Sequence, residues 1–127
     1  MQVQEGQGWR LQVDPARWPF AVLIGGEGWA AELTQAEARL LALGVERLVD
    51  QHAALVDQLL AEEAITLEWE SGEIWLALEG DRQAWQLRFV LTSASGLRAL
   101  EGAWTPTASR AVAAALRAVR SSLSDPA

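Results

Sequence analysis

The sequence contains no cysteine, and this absence removes several kinds of chemistry together. Disulfide bonds, iron–sulfur clusters, thiol catalysis and the usual structural zinc sites all require cysteine. A cytoplasmic location is the simplest expectation, because cytosolic proteins do not depend on disulfide bonds. We expect an apolar core alone to hold the fold together.

Histidine is nearly absent as well, since His52 is the one imidazole in the chain. It lies at helical spacing from Leu48 and Leu55, on or beside the apolar stripe of a predicted helix. Catalytic triads need a histidine within reach of a serine or cysteine, whereas a histidine inside a helix is usually a hydrogen-bonded core residue. We therefore predict a structural role for His52, no catalytic residue, and a protein that is not an enzyme.

With one histidine and no cysteine, carboxylates are the main metal ligands left, and these suit Mg²⁺ or Ca²⁺. Glu68 and Glu70 point the same way along one predicted strand, and Glu79 and Asp81 follow in the sequence. A weak divalent site is one interpretation of these residues. A solvated acidic surface is the favoured interpretation, so the sequence predicts no metal and no cofactor.

Lysine is also missing, so all 10 basic residues are arginines, against 17 acidic residues and a net charge of −7. This balance opposes binding to phosphates, which normally depends on a surplus of basic residues. The charges are unevenly placed, because residues 57–81 hold eight acids and no base, whereas four arginines follow residue 97. We expect one strongly negative pole.

No apolar run approaches the roughly 20 residues that a membrane-spanning helix needs, and the first six residues form neither a basic nor an apolar stretch. We expect a soluble chain without a targeting segment. A length of 127 residues suits one domain with its own core. That domain should span residues 1–127, with a tail that frays from about residue 124.

Tryptophan is abundant although tyrosine is absent, with seven tryptophans in the chain. Five of them follow a glycine closely: Trp9, Trp29, Trp75, Trp104 and, at slightly longer spacing, Trp85. A turn that leads an indole onto a sheet face buries a large apolar area, so this arrangement is a structural device.

The tryptophans are predicted to differ in exposure. Trp9, Trp69 and Trp85 share strand faces with aliphatic or aromatic residues and are predicted core residues. Trp75 lies on the strand face opposite its apolar neighbours and is expected to be partly exposed. Trp18 falls in a proline-containing loop, where it suits either a lid over the core edge or a surface anchor.

Hydrophobic periodicity predicts seven strands and two helices. Strands are expected at residues 8–14, 20–24, 29–33, 65–70, 73–79, 83–92 and 97–104. Thr34 and Glu37 form a capping box, so a helix should begin there and continue to about residue 63. Thr105 and Pro106 should start a second helix at residues 107–123. Hairpin connections make the sheets antiparallel, so we predict an α+β fold with three strands, a helix, four strands and a helix.

Gly26, Gly28 and Ala31 also resemble the glycine-rich turn of a dinucleotide-binding site, in which a helix begins directly after the turn. The capping box lies six residues after Gly28, and no second parallel strand–helix–strand unit follows. A β-hairpin turn is therefore the favoured interpretation.

Five segments resemble a small cyanobacterial family of unknown function over nearly the whole chain. They are EGQGWRL at residues 5–11, FAVLIGGEGWAAELT at 20–34, DQLLAEE at 57–63, LEGD at 78–81 and EGAW at 101–104. The resemblance implies a fold related to the Whirly and positive-cofactor group of single-stranded-DNA-binding transcriptional regulators, with curved antiparallel sheets backed by helices and often paired across subunits. The predicted order is one strand short of an even two-sheet repeat, and residues 1–5 would supply it.

Two functions follow as hypotheses. The first is a non-enzymatic interaction protein, expected to be a homodimer whose helix and sheet surfaces contact a protein partner. It rests on the acidic charge, the missing catalytic groups and the expected exposure of Trp18 and Trp75. The second is a single-stranded DNA or RNA binder, implied by the resemblance and by the adjacency of arginine and tryptophan. The acidic charge favours the first. The candidate contact residues are Arg10, Arg17, Trp18, Trp75, Arg88 and Arg98.

Overall fold

The computed structural model describes residues 1–123 and shows two four-stranded antiparallel sheets, each followed by a helix. The N-sheet contains β1 (Gln2–Gly6), β2 (Trp9–Val13), β3 (Val22–Gly26) and β4 (Trp29–Leu33), and α1 (Gln35–Leu55) follows it. The C-sheet contains β5 (Ile65–Ser71), β6 (Ile74–Gly80), β7 (Trp85–Thr92) and β8 (Ala99–Ala103), and α2 (Pro106–Val119) follows it. Strands in each sheet are neighbours in chain order. The predicted α+β class with antiparallel sheets is confirmed, whereas the predicted fraying from residue 124 lies outside the described residues.

β1 is the strand that the even repeat required. It pairs with β2 from Gln2 opposite Val13 to Gly6 opposite Trp9. Most of its side chains are exposed, because β1 is an edge strand. The turn at Gly26 and Gly28 connects β3 to β4 as a hairpin, as predicted, and no helix begins there.

Both helices end earlier than the periodicity predicts. The capping box starts α1 as expected, with the Thr34 hydroxyl accepting from the Glu37 N–H at 3.1 Å and the Glu37 carboxylate accepting from the Thr34 N–H at 2.9 Å. However, α1 stops at Leu55 and passes into a 3₁₀ turn, Val56–Gln58. The later leucine Leu60 is 75% exposed and has no core surface to cover. In the same way α2 stops at Val119 and continues as a 3₁₀ turn, Arg120–Leu123.

One core runs through both halves of the chain. It is formed by the inner faces of the two sheets and by the facing sides of the helices, and its largest fully buried side chains include Leu11, Ile24, Leu33, Leu41, Leu48, Leu76, Leu87, Phe89, Leu91 and Trp104. The helix α1 packs mainly on β5 and β6 of the C-sheet. The helix α2 packs on β7 but also on β2 of the N-sheet. Each helix therefore contacts strands of the other half of the chain as well as strands of its own half: α1 contacts the C-sheet, and α2 contacts the N-sheet.

Indoles join the two sheets. The ring of Trp29, from β4, lies 5.7 Å from the ring of Phe89 and 5.3 Å from that of Trp104. The Trp29 Nε1–H donates to the Ala103 carbonyl at 3.0 Å, and the Trp104 Nε1–H donates to the Gly25 carbonyl at 2.9 Å. In the first bond the donor belongs to the N-terminal half, and in the second it belongs to the C-terminal half. Each half therefore accepts a hydrogen bond from an indole of the other half.

Glycine makes room for Trp29. A Cβ atom at Gly102 would lie 2.8 Å from the Trp29 ring, and one at Gly26 would collide with the same indole. Glycines near tryptophan therefore act by leaving space for the ring. Trp85 is buried, as predicted, whereas Trp9 and Trp69 pack on the core but stay half-buried. Trp9 and Trp69 therefore belong to the edge of the core.

Candidate interaction surfaces

Each sheet has one face against the core and one face toward solvent. In β7 the side chains alternate strictly between buried inner positions and mostly exposed outer ones, and β5 shows a similar alternation. A sheet with one packed face and one solvated face is common among antiparallel folds. The two outer faces and the loop that carries Trp18 hold five of the six candidate contact residues, and Arg98 lies in the loop before β8.

The outer face of the N-sheet carries little net charge. Its residues, taken from the strand register, are Val3, Glu5, Arg10, Gln12, Leu23, Gly25, Ala30 and Glu32. Arg10 is exposed and lies opposite Glu5 on β1. Arg10 therefore stands on a sheet face, as the sequence indicates, but beside a carboxylate.

Trp18 is 75% exposed, on the loop between β2 and β3. The loop is held in place by its neighbours. Asp14 accepts from the Ala16 N–H at 3.1 Å, and the Arg17 guanidinium donates to the Glu32 carboxylate at 3.0 Å. Trp18 is thus displayed on a fixed turn, and it does not cover the core edge.

Arg98 has a role within the fold. Its guanidinium donates to both oxygens of the Glu37 carboxylate, at 3.1 and 2.6 Å, and to the Glu32 carbonyl at 2.9 Å. It also lies 4.8 Å from the centre of the Phe20 ring. These contacts occupy the guanidinium and connect the loop before β8 to β4 and α1. The structure thus places Arg98, one of the predicted contact residues, in bonds inside the protein.

Glu37 is buried, and its environment changes its acidity. Burial alone would raise the pKa of Glu37, but the hydrogen bonds from Arg98 and Thr34 and the positive charge of Arg98 outweigh it and hold the pKa below its usual range. Since the folded state favours the charged form, this carboxylate stabilises the protein most fully above its unfolded-state pKa. The contribution is lost as the pH falls through the lower, folded-state pKa.

Replacing Glu37 with glutamine should lower the free energy of unfolding at pH 7 by about 1–2 kcal/mol, because the charge-assisted bonds to Arg98 are weakened. The difference from the unchanged protein should shrink below about pH 4, where the unfolded state takes up a proton before the folded state does. Urea unfolding at a series of pH values measures this difference. The matched control is Glu32→Gln, which removes an exposed ion pair with Arg17 and should cost less than about 1 kcal/mol. A Glu37→Gln difference that stayed constant from pH 7 to pH 3 would contradict the assignment.

Trp75 and Arg88 lie together on the outer face of the C-sheet. The Arg88 Cζ atom is 4.8 Å from the centre of the Trp75 ring, and Arg88 Nε donates to the Glu79 carboxylate at 3.2 Å. Trp75 is half-buried, as expected from its position on the strand. Three other glutamates share this face, namely Glu68, Glu70 and Glu101.

The single histidine occupies the structural position expected of it. His52 is 6% exposed, packs 6.0 Å from the Trp85 ring, and makes a 2.9 Å hydrogen bond through Nε2 with the carbonyl of Asp81. Since a carbonyl only accepts, Nε2 carries the proton. The Asp81 carboxylate accepts the N–H groups of Ala84 and Gln83, and these bonds hold its pKa below the usual range.

The glutamates considered as a weak divalent site do not converge. Glu79 pairs with Arg88, and the Asp81 carboxylate closes its own turn. Among residues 1–123, no group of three or more acidic or histidine side chains is placed to hold a metal ion. In the same part of the chain, no helix is long and apolar enough to cross a membrane.

The six candidate residues thus separate into distinct places. Arg17 and Trp18 share the loop beside the N-sheet, Trp75 and Arg88 stack on the C-sheet, and Arg10 stands apart on the N-sheet. The sixth residue, Arg98, lies before β8 and is bound to Glu32 and Glu37. Leu97 is 91% exposed and is not among the predicted contact residues. A leucine inside a serine- and glycine-rich turn was the available signal, because such turns seldom reach the core.

The fold and these surfaces define a small α+β protein with two open sheet faces. A family model described as a domain of unknown function (DUF1818) matches residues 4–119, so the chain belongs to this family. A crystal structure from Prochlorococcus sp. NATL2A, described as a protein of unknown function from the DUF155 family, is similar to it with a TM-score of 0.88 and 41% identity. The similarity covers 94% of this chain and 98% of that chain. No curated protein matches the sequence.

The sequence predicted membership of a family of unknown function, and this prediction is confirmed. The Prochlorococcus structure agrees with the predicted cyanobacterial link.

Proposed function

We propose that this protein is a non-enzymatic interaction protein that forms a homodimer and contacts a protein partner. The observation that carries the proposal is Trp18, which is 75% exposed on a turn fixed by Asp14 and by the Arg17–Glu32 ion pair. Tryptophan and arginine are enriched among the residues that dominate binding energy in protein interfaces. A cytoplasmic location, expected from the sequence, is part of the same proposal.

The homodimer would be centred on the outer face of the N-sheet and would extend beyond it, because strands of five residues give a smaller area than a stable dimer buries. This face combines the 48% exposed Val3 with the half-buried Leu23 and with small residues at Gly25 and Ala30. Its single arginine faces one glutamate across the strands, so a second copy would meet little repulsion. Sedimentation velocity on the full chain at micromolar concentration tests this part of the proposal.

A single-stranded nucleic acid binder is the alternative, and the stacking of Arg88 on Trp75 is the observation that favours it. A relation to the Whirly group would give it further support. Against it, Arg88 is paired with Glu79 and shares its face with three more carboxylates, which repel a phosphate backbone. Quenching of tryptophan fluorescence by oligo-dT that weakens with added salt would support the alternative.

Replacing Trp18 with alanine should reduce recovery of the protein partner from a cyanobacterial lysate at least about tenfold, because loss of an interface tryptophan often costs 2 kcal/mol or more. The folded structure should be unaffected, since the side chain is mostly in solvent. Quantitative mass spectrometry of proteins captured on the immobilised chain measures the effect.

The matched control for this experiment is Leu60→Ala. Leu60 has the same exposed fraction, 75%, but lies outside both sheets, between the 3₁₀ turn Val56–Gln58 and β5. Capture should survive this change. Equal recovery with the Trp18→Ala and unchanged proteins, or equal losses with both variants, would remove Trp18 as the contact.

A further inference from the structure

The outer face of the C-sheet has the organisation of a small binding surface. One row of side chains crosses all four strands in the order Glu70, Trp75, Val90, Glu101. The two apolar side chains occupy the central strands and are half-buried, whereas the two carboxylates stand on the edge strands and are exposed. An apolar centre with a polar rim is the usual anatomy of a protein interface.

The neighbouring row extends the same arrangement. It contains Glu68, Ala77, Arg88 and Ala103. Ala77 is 1% exposed although it points outward, so the longer side chains around it already cover it. Arg88 lies over the Trp75 ring and fixes the position of the indole. Its ion pair with Glu79 neutralises the one arginine of this face.

The rim therefore carries charge of one sign. Glu68, Glu70 and Glu101 make no ion pair or side-chain hydrogen bond with any other residue of the described chain. Three unpaired carboxylates around an apolar centre attract a cationic partner and repel an anionic one. Charge complementarity thus specifies a partner with basic side chains around an apolar one.

The size of the face limits what can bind there. Four strands about 4.8 Å apart give a width of about 14 Å, and seven residues along a strand give a length of about 23 Å. This area is roughly 300 Å², which is less than half of the about 800 Å² that each partner buries in a standard stable complex. A short segment of a partner matches this area, whereas a whole domain would overhang it.

We infer that the outer face of the C-sheet binds a basic segment of a protein partner, with an apolar side chain on Trp75 and Val90 and arginine or lysine side chains at Glu70 and Glu101. This inference rests on the proposed function, because it specifies the partner chemistry of an interaction protein. The face is separate from Trp18, so the two surfaces can be tested independently. Since the contact is small and charged, binding should be weak and should weaken further with salt.

The test is a titration of the full ¹⁵N-labelled chain with the peptide acetyl-Arg-Arg-Gly-Leu-Gly-Arg-Arg-amide, followed by NMR. The indole N–H signal of Trp75 and the amide signals of Glu70, Val90 and Glu101 should shift, while the Trp18 indole signal should not. The same peptide with glutamate in place of arginine should give no shifts. A peptide with glycine in place of leucine should bind at least threefold more weakly, because it lacks the apolar contact.

Paired charge variants separate a specific site from general attraction to an acidic protein. The double variant Glu70→Gln with Glu101→Gln should weaken binding of the peptide at least fivefold. The control is Glu5→Gln with Glu27→Gln, which changes the net charge equally at exposed positions outside the C-sheet, and it should change affinity less than twofold. Trp75→Ala should weaken binding as well, and the charge variants remain decisive if this variant fails to fold.

Equal weakening by the two double variants, or shifts spread evenly over the acidic surface, would overturn the inference. These outcomes differ from a failure of the proposed function. If Trp18-dependent capture persists while the peptide does not bind, the C-sheet inference alone fails. If the peptide binds while neither Trp18→Ala nor Trp75→Ala alters capture, the proposed contact with a cellular partner fails.

Discussion

Replacing Trp104 with alanine is expected to lower the free energy of unfolding by about 3–5 kcal/mol, a large fraction of the stability of a domain of this size. The indole is 1% exposed and contacts Trp29 and Phe89 at ring distances of 5.3 and 5.5 Å. Its removal leaves a cavity at the junction of the two sheets. The Gly25 carbonyl also loses the indole N–H that donates to it at 2.9 Å.

Urea unfolding followed by circular dichroism measures this loss, because the signal does not depend on any one tryptophan. Trp18→Ala is the control, since its exposed side chain should contribute within about 0.5 kcal/mol. Trp104→Phe should fall between the two, because phenylalanine fills part of the cavity and leaves the Gly25 carbonyl without its donor. A loss below about 1.5 kcal/mol for Trp104→Ala would show that the indole does not tie the sheets together.

Replacing Gly44 with alanine should destabilise the protein by about 1–3 kcal/mol, although the same change in an exposed helix would stabilise it by about 1 kcal/mol. Gly44 lies in the middle of α1, where the helix approaches β5 and β6. A Cβ atom there would lie 2.5 Å from Leu76 Cδ1 and would collide with the ring of Trp69. The helix or the sheet would have to move outward, and core contacts would be lost.

The cause can be tested by a double-mutant cycle with Trp69→Ala. In that background the ring no longer meets the new methyl group, so the cost of Gly44→Ala should fall by at least about 1 kcal/mol. Ala53→Gly serves as the reference for helix propensity, because Ala53 is an exposed position of α1. A stabilising Gly44→Ala in the unchanged background would contradict the packing described for α1.

Local signals in the sequence predict much of this fold. The capping box at Thr34 and Glu37 fixes the start of α1, and the glycine at position 28 fixes the hairpin between β3 and β4. These features depend on residues a few positions apart, so a single sequence contains them. The end of α1 was harder to predict, because it depends on where the core surface ends and the leucines beyond Leu55 continue the helical period.

The candidate surfaces depend on contacts that no local pattern contains. Arg98 and Glu37 are 61 residues apart in the chain, and their ion pair gives a predicted contact arginine a structural role as well. The position of Trp75 opposite its apolar neighbours correctly predicted partial exposure. The contact of Arg88 with the Trp75 ring could not be predicted in the same way. It depends on the register between β6 and β7, which the sequence does not specify.

The packing of each helix on strands of the other half affects how the protein folds. α1 follows the N-sheet but packs mainly on the C-sheet, and α2, which follows the C-sheet, reaches back to the N-sheet. Neither meander can complete its buried surface until the rest of the polypeptide has been made, so the ribosome must release nearly the whole chain before either half is stable. The resemblance between the two halves therefore does not make them separable units: unfolding should be all-or-none.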